Sequence, residues 1–126
     1  MRLPDLEVNA ALDAIASGGP DRMVGLSTTP LSVTSAGLSG VTEPVGGGYA
    51  RVSLPASAWS AAVNRTIQAT TATFPAPTGD WGVVVAWFLT DAAGVPSIPF
   101  AFDAGGMSVA AGSSAPKVTP VITSSL

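Results

Sequence analysis

The chain contains no histidine and no cysteine. The first absence removes the commonest general base, the commonest metal ligand and the side chain that titrates near neutral pH. The second excludes disulfides and thiolate chemistry and leaves the redox compartment open. Charge is scarce too. Asp, Glu, Lys and Arg make up 10% of the 126 residues, against about 25% in ordinary soluble domains. Such an exterior is built from Ser, Thr, Gly, Ala and Pro and has little electrostatic protection against self-association. The expectation is an assembled native state in which part of the surface is an interface. The plain alternative is a β-domain with a neutral, Thr-rich exterior.

A basic cluster is also missing. The net charge is −3, and Arg2, Arg22, Arg51, Arg65 and Lys117 are spread along the chain. Phosphate contacts dominate nucleic-acid affinity, so no nucleic-acid partner is expected. No apolar run is long. The longest, residues 82–89 (GVVVAWFL), falls far short of the ~20 residues of a membrane span, so no membrane partner is expected either. Pro4, Asp5 and Glu7 stand where a signal peptide would be apolar. Folding in the cytoplasm where the chain is made follows as the expectation.

What is present reads as a small β-domain. The length suits one domain over residues 1–126. The hydrophobic fraction is 47%, but much of it is alanine, so the core is expected to be thin, as in a two-layer sandwich. Residues 4–17 carry Val8, Leu12 and Ile15 at helical spacing, with Ala11 on the same side. Asp5 and Glu7 stand in the first turn, and Gly18-Gly19-Pro20 stops the helix. This helix packs on its own domain or docks on a neighbour as an arm.

From residue 21 to 126 the pattern changes to short strands and turns. Strands are expected at 22–28, 49–54, 66–74, 83–90, 95–102, 107–110 and 117–123, with residues 31–40 as a loop. Residues 83–90 (VVVAWFLT) are β-branched and aromatic throughout, as in a central strand covered on both faces. Asp91-Ala92-Ala93-Gly94 has hairpin chemistry. The next strand carries Pro96 and Pro99, which marks it as an edge, and Pro120 weakens the last one. Residues 56–63 are either a helical turn that sets Trp59 against the core or an irregular excursion. The expected fold is mainly β: a single-domain antiparallel β-sandwich, jelly-roll or Ig-like, with a short N-terminal helix.

Catalytic constellations are weak. Serines are plentiful, but the only lysine, Lys117, is the one base left to activate them, and it lies in a Pro-flanked tail strand. Asp80, Asp91 and Asp103 stand at strand ends and could gather at one rim for glycosidase work or calcium. Turn capping accounts for them more simply, and no DxDxDG spacing is present. Gly46-Gly47-Gly48 lacks the Lys-Ser/Thr and the helix that a phosphate loop requires. A sharp turn or a close backbone approach is the expected role. Asn64-Arg65-Thr66 matches a glycosylation sequon with no export signal ahead of it. Trp59, Trp81 and Trp87 suit core and rim packing better than a sugar platform. No cofactor, metal or small-molecule substrate is expected.

Four segments occur together in order: residues 24–30 (VGLSTTP), 41–52 (VTEPVGGGYARV), 74–82 (FPAPTGDWG) and 88–94 (FLTDAAG). Together with the opening helix NAALDAIA, they resemble small virion proteins of tailed bacteriophages of actinobacteria, called tail-fibre-like, head-fibre or capsid-decoration proteins. The resemblance covers most of the chain and brings no catalytic residues. It implies a β-sandwich virion component, not an enzyme, that binds other virion proteins. The leading expectation is a capsid-decoration protein on the capsid surface. Its partners would be the major capsid protein and itself, as a homotrimer, stabilising the shell by binding only its assembled state. The alternative is a tail or fibre component with a receptor-binding face. A lectin or carbohydrate-active enzyme on the same sandwich is a third reading. The residues expected at a partner interface are Glu43, Pro44, Gly46, Gly47, Gly48, Tyr49, Arg51, Trp81, Ile98 and Phe100. The edge around residues 98–102 is expected to pair or pack between copies.

Overall fold

A computed structural model describes residues 3–102 and 106–124. Asp103 and Gly105, the latter part of an expected turn, lie outside the described residues. The chain runs α1 (Asp5–Ile15), β1 (Arg22–Ser27), β2 (Ser32–Thr34), β3 (Gly37–Ser39), β4 (Val52–Leu54), a 3-10 turn (Ala56–Ala58), β5 (Thr66–Gln68), β6 (Ala72–Thr73), β7 (Gly82–Val84), β8 (Ala86–Thr90), β9 (Pro96–Ala101), β10 (Met107–Val109), β11 (Lys117–Val118) and β12 (Val121–Thr123). The fold is mainly β with antiparallel ladders and one short N-terminal helix, as expected.

One layer is a four-stranded sheet in the order β4-β1-β8-β9. The facing layer is made of two-stranded ladders, β10-β7, β11-β6 and β12-β5. One face of the sheet contributes Val24, Leu26, Leu54, Trp87 and Leu89 to the core. The ladders contribute Ile67, Phe74, Trp81, Val84, Val109 and Val118. Full burial of a side chain such as Leu26 or Phe74 contributes about 1.5–3 kcal/mol. The helix adds Val8 and Leu12, and its C-cap Ala16, to the same core and lies against the chain's own β5, whereas Ile15 and Ala11, expected on the same face, are exposed.

Long strands expected from composition are broken, each at an identifiable place. Residues 66–74 and 117–123 do pair, but residues 69–71 oppose residues 119–120, so the ladder carries one extra residue and splits into β5-β12 and β6-β11. Pro120 has no N–H to give at that point, and its carbonyl accepts from Ala69 N at 3.0 Å. The run 83–90 is divided at Val85. Its first part pairs with β10 and its second lies between β1 and β9. All five residues of β8 are buried, as a central strand requires, whereas Gly82 and Val83 of β7 are exposed. Residues 31–40, expected as a loop, form the β2-β3 hairpin instead. Its alternation was hidden because every residue of β2 is exposed. Only Val52–Leu54 of the expected strand 49–54 is regular. Trp59 follows the 3-10 turn into the core, with 6% of its surface exposed.

β9 is the edge of the four-stranded sheet, as its prolines foretold. Phe102 N donates to Val85 O at 3.2 Å, and the register pairs Trp87 with Phe100 and Leu89 with Ile98. By alternation Pro99 faces away from β8, where its missing donor costs no ladder bond.

Candidate functional site

The expected interface residues fall into two groups. The first is the glycine turn. Gly46, Gly47 and Gly48 all take positive φ (72°, 60° and 79°), a run that L-residues adopt only with strain. At Gly47 the requirement is doubled. A Cβ there would lie 2.9 Å from both Gly79 O and Trp81 Cδ1. Gly47 O accepts from Thr78 N at 2.9 Å and from Trp81 Nε1 at 2.8 Å. Trp81 is buried, as are Trp59 and Trp87, which spends all three tryptophans on packing.

The residues flanking the turn converge on one carboxylate. Glu43 Oε1 accepts from Tyr49 OH at 2.7 Å and from Arg51 Nε at 2.9 Å, while Oε2 accepts from Arg51 NH2 at 2.9 Å. Arg51 NH1 donates to Gly94 O at 2.7 Å in the β8–β9 loop, and the guanidinium lies 5.4 Å from the centre of the Phe88 ring. Tyr49 OH accepts from Leu26 N at 3.0 Å, two residues beyond Val24, the last of β1 to pair with β4. A side chain thus continues the edge where β4 stops. The Tyr49 ring meets Trp81 edge-on at 5.3 Å and stacks on Phe74 at 6.3 Å.

Electrostatics follow from this geometry. Burial pushes the Glu43 carboxyl up, but hydrogen bonds from Arg51 and Tyr49 and the Arg51 charge outweigh it, so the net shift is downward. The Arg51 guanidinium is raised by its bond to Glu43, and the Tyr49 hydroxyl is raised by burial. Glu43, Tyr49, Arg51 and Trp81 are therefore engaged within the chain, and Pro44 is buried. The turn presents to solvent Val45, 93% exposed, with Gly46 and Gly48.

The second group lies on β9. Ile98 and Phe100 are half-buried, and Phe100 stacks on Trp87 with centroids 4.0 Å apart and planes 9° apart. Beside them is an open hollow of about 320 Å³ lined by Pro30, Leu31, Val85, Ala86, Pro99, Phe100 and Ala101. Arg51 links the two groups through Gly94.

Arginines that looked merely scattered have structural roles. Arg65, 7% exposed at its side chain, donates to Asp5 Oδ1 at 2.8 Å and Leu3 O at 2.6 Å. Arg22 donates to Ile15 O and Thr90 O, both at 2.9 Å, and burial lowers its pKa against the pull of Asp91. Both fasten the helix to the β-layers. No sequence spacing announces such pairs, whose members stand up to 68 positions apart. Asp80 and Asp91 cap turns: Asp80 accepts from Ala111 N, and Asp91 from Ala93 N and Val95 N, each at 2.9 Å.

A family model described as podophage GP4 fiber I protein gp80 matches residues 8–114. The chain belongs to this family. It is a phage virion structural protein of a fibre-like family. Neither a curated protein nor a solved structure matches the chain. The family match begins in α1 and runs past β10, so it takes in the glycine turn, the Glu43–Arg51 pair and the β9 edge.

Proposed function

We propose that this chain is a component of a phage fibre that holds its place by surface contacts with other virion proteins and performs no catalysis. The observation that carries this reading is the family match over residues 8–114, whose description names a fibre protein. The chemistry agrees. The chain has no imidazole or thiol, and Asp80 and Asp91 are committed to turn amides. Glu43 is committed to Arg51 and Tyr49. The rigid turn at Val45 and Gly46 and the β9 edge are the surfaces offered to partners. Capsid decoration, the leading expectation from sequence, becomes the second reading. It is supported by the mainly β fold and the sparse charge, which suit a domain held on a surface by packing. In that role the major capsid protein would be the partner.

Gold-labelled antibody on intact virions tests this. Label on fibres, at head or tail, supports the fibre reading. Even label over the whole capsid shell replaces it with decoration. Virions without label, from a lysate in which the protein is abundant, overturn both.

A further inference from the structure

We propose that Glu43 is an acid-released latch: while ionised it holds the glycine turn, the β8–β9 loop and the uncovered end of β1 together as one unit, and a proton on it lets the three move separately. Glu43 leads into the turn. Through Arg51 it reaches Gly94 O in the β8–β9 loop, and through Tyr49 OH it reaches Leu26 N in β1. β4 gives β1 no partner past Val24. Leu26 is wholly buried, so its N–H depends on a side-chain hydroxyl where a strand would otherwise stand. A buried N–H left without an acceptor is expensive, which makes the position of Tyr49 OH matter to the sheet itself. The turn exposes Val45, and the loop leads into Val95, which is half exposed. Latched, these two surfaces keep one fixed relation. Released, each moves on its own.

One proton is enough because every bond onto Glu43 comes from a donor. Oε1 accepts from Tyr49 OH and Arg51 Nε, and Oε2 accepts from Arg51 NH2. A neutral acid turns one of these oxygens into a donor, which faces a group that also donates. A bond is lost, and the attraction to the guanidinium goes with the charge. Arg51 then keeps only Gly94 O and the face of Phe88. The cluster is electrostatically closed. The titratable groups acting on Glu43 are Arg51 and Tyr49, and those acting on Arg51 are Glu43 and Tyr49. Burial raises the Tyr49 hydroxyl, so it stays protonated. The β8–β9 loop carries Asp91, whose charge acts on Arg22 and whose Oδ1 holds Ala93 N and Val95 N. Glu43 is thus the member of the cluster that changes charge in acid. Its side chain is 27% exposed, so a proton reaches it without unfolding. Its carboxyl is held below the ordinary value. The latch is therefore closed above about pH 4.3 and opens as pH falls through the lowered value.

Amide hydrogen exchange on the purified full chain, read residue by residue by NMR, tests this. The Leu26 amide reports the latch, and the β8 amides report opening of the whole sheet. At neutral pH, Glu43→Gln copies the neutral acid. It is expected to speed Leu26 exchange about tenfold more than it speeds β8. Tyr49→Phe removes the acceptor itself and should do the same. Wild type should show the same excess in acid, after correction for the intrinsic rate, and Glu43→Gln should gain nothing further there. Asp91→Asn silences the neighbouring carboxylate and should leave the acid response in place. In that variant the amide resonances of Leu26, Gly48 and Gly94 should titrate with one midpoint, below about 4.3. A Leu26 amide that stays in step with β8 in Glu43→Gln and in acid overturns the proposal. So does an acid response that persists in Glu43→Gln or disappears in Asp91→Asn, and so do three separate midpoints. The inference goes beyond the fibre reading and does not rest on it. Exchange is measured without virions, and antibody labelling without regard to the latch, so either can fail alone.

Discussion

Gly25 offers a test in which local propensity and tertiary structure disagree in sign. It sits in the middle of β1, paired with Phe88 across the central ladder. Its φ is not positive, so its backbone needs no glycine. By propensity, Gly25→Ala should stabilise the protein by about 0.5–1 kcal/mol, because glycine loses more freedom on folding. The structure opposes this. A Cβ at residue 25 would lie 2.3 Å from Phe88 Cζ and under 3 Å from two more ring atoms. Phe88 is wholly buried, with the Arg51 guanidinium over it, so the ring cannot swing clear without disturbing the Glu43–Arg51 pair. Overpacking of this kind costs about 1–3 kcal/mol. Steric cost should win, and Gly25→Ala should lower stability by about 1–2 kcal/mol after the entropic gain is subtracted. Urea denaturation at neutral pH reads this as a lower midpoint at unchanged slope. The cause is checked by a double-mutant cycle with Phe88→Leu, which shortens the side chain where the new methyl arrives. Alanine at residue 25 should be less harmful in that background, with a coupling of at least about 0.5 kcal/mol. A Gly25→Ala protein as stable as wild type, or more stable, would refute the close-approach argument.

Three further outcomes are expected. Glu43→Gln should cost about 1–2 kcal/mol near pH 7, since it removes a carboxylate that accepts three bonds. Glu43 is held below its ordinary value in the folded chain, so its contribution is complete above about pH 4.3 and fades as pH falls through the lowered value. The gap between wild type and variant in urea midpoint should therefore narrow at acid pH, and a constant gap would contradict the assigned role. Gly46→Ala and Gly47→Ala should both destabilise through positive φ, by about 1 kcal/mol. Gly47→Ala should be clearly worse, because only there does a Cβ meet Gly79 and Trp81, and Trp81 fluorescence should report it. Equal losses would remove the packing explanation. Arg65→Met should cost about 1–3 kcal/mol and speed hydrogen exchange across Asp5–Ile15 while leaving β8 protected. Uniform loss of protection would show that Arg65 does more than fasten the helix.

The parts legible in the sequence were those governed by near neighbours. The helix was visible because Val8 and Leu12 recur at its period and Gly18-Gly19 ends it. The central strand was visible because residues 86–90 are apolar on both faces, and the edge because proline cannot donate to a ladder. The interface residues were legible as a motif, but their engagement was not. Glu43, Tyr49 and Arg51 read as surface candidates, yet each is satisfied within the chain. Arg22 and Arg65 attracted no notice because their partners are remote carbonyls and one exposed acid. The β2-β3 hairpin was missed because its exposed residues carry no alternation of burial to betray a strand.

Composition alone excluded imidazole, thiolate and disulfide chemistry, which narrowed the options before any folding was considered. Its Gly and Pro positions likewise marked several turns, such as Gly18-Gly19 after the helix and Gly94 before β9. Only the tertiary structure decided which strands share a sheet, that Val85 is where one run changes partners, and that the glycine turn closes over Phe88 through Glu43 and Arg51. It also decided that two alanines, fifteen positions apart in sequence, face one hollow. The physical reason is range: backbone preference acts between neighbours, whereas register, burial and ion pairing depend on residues the chain brings together only when it folds.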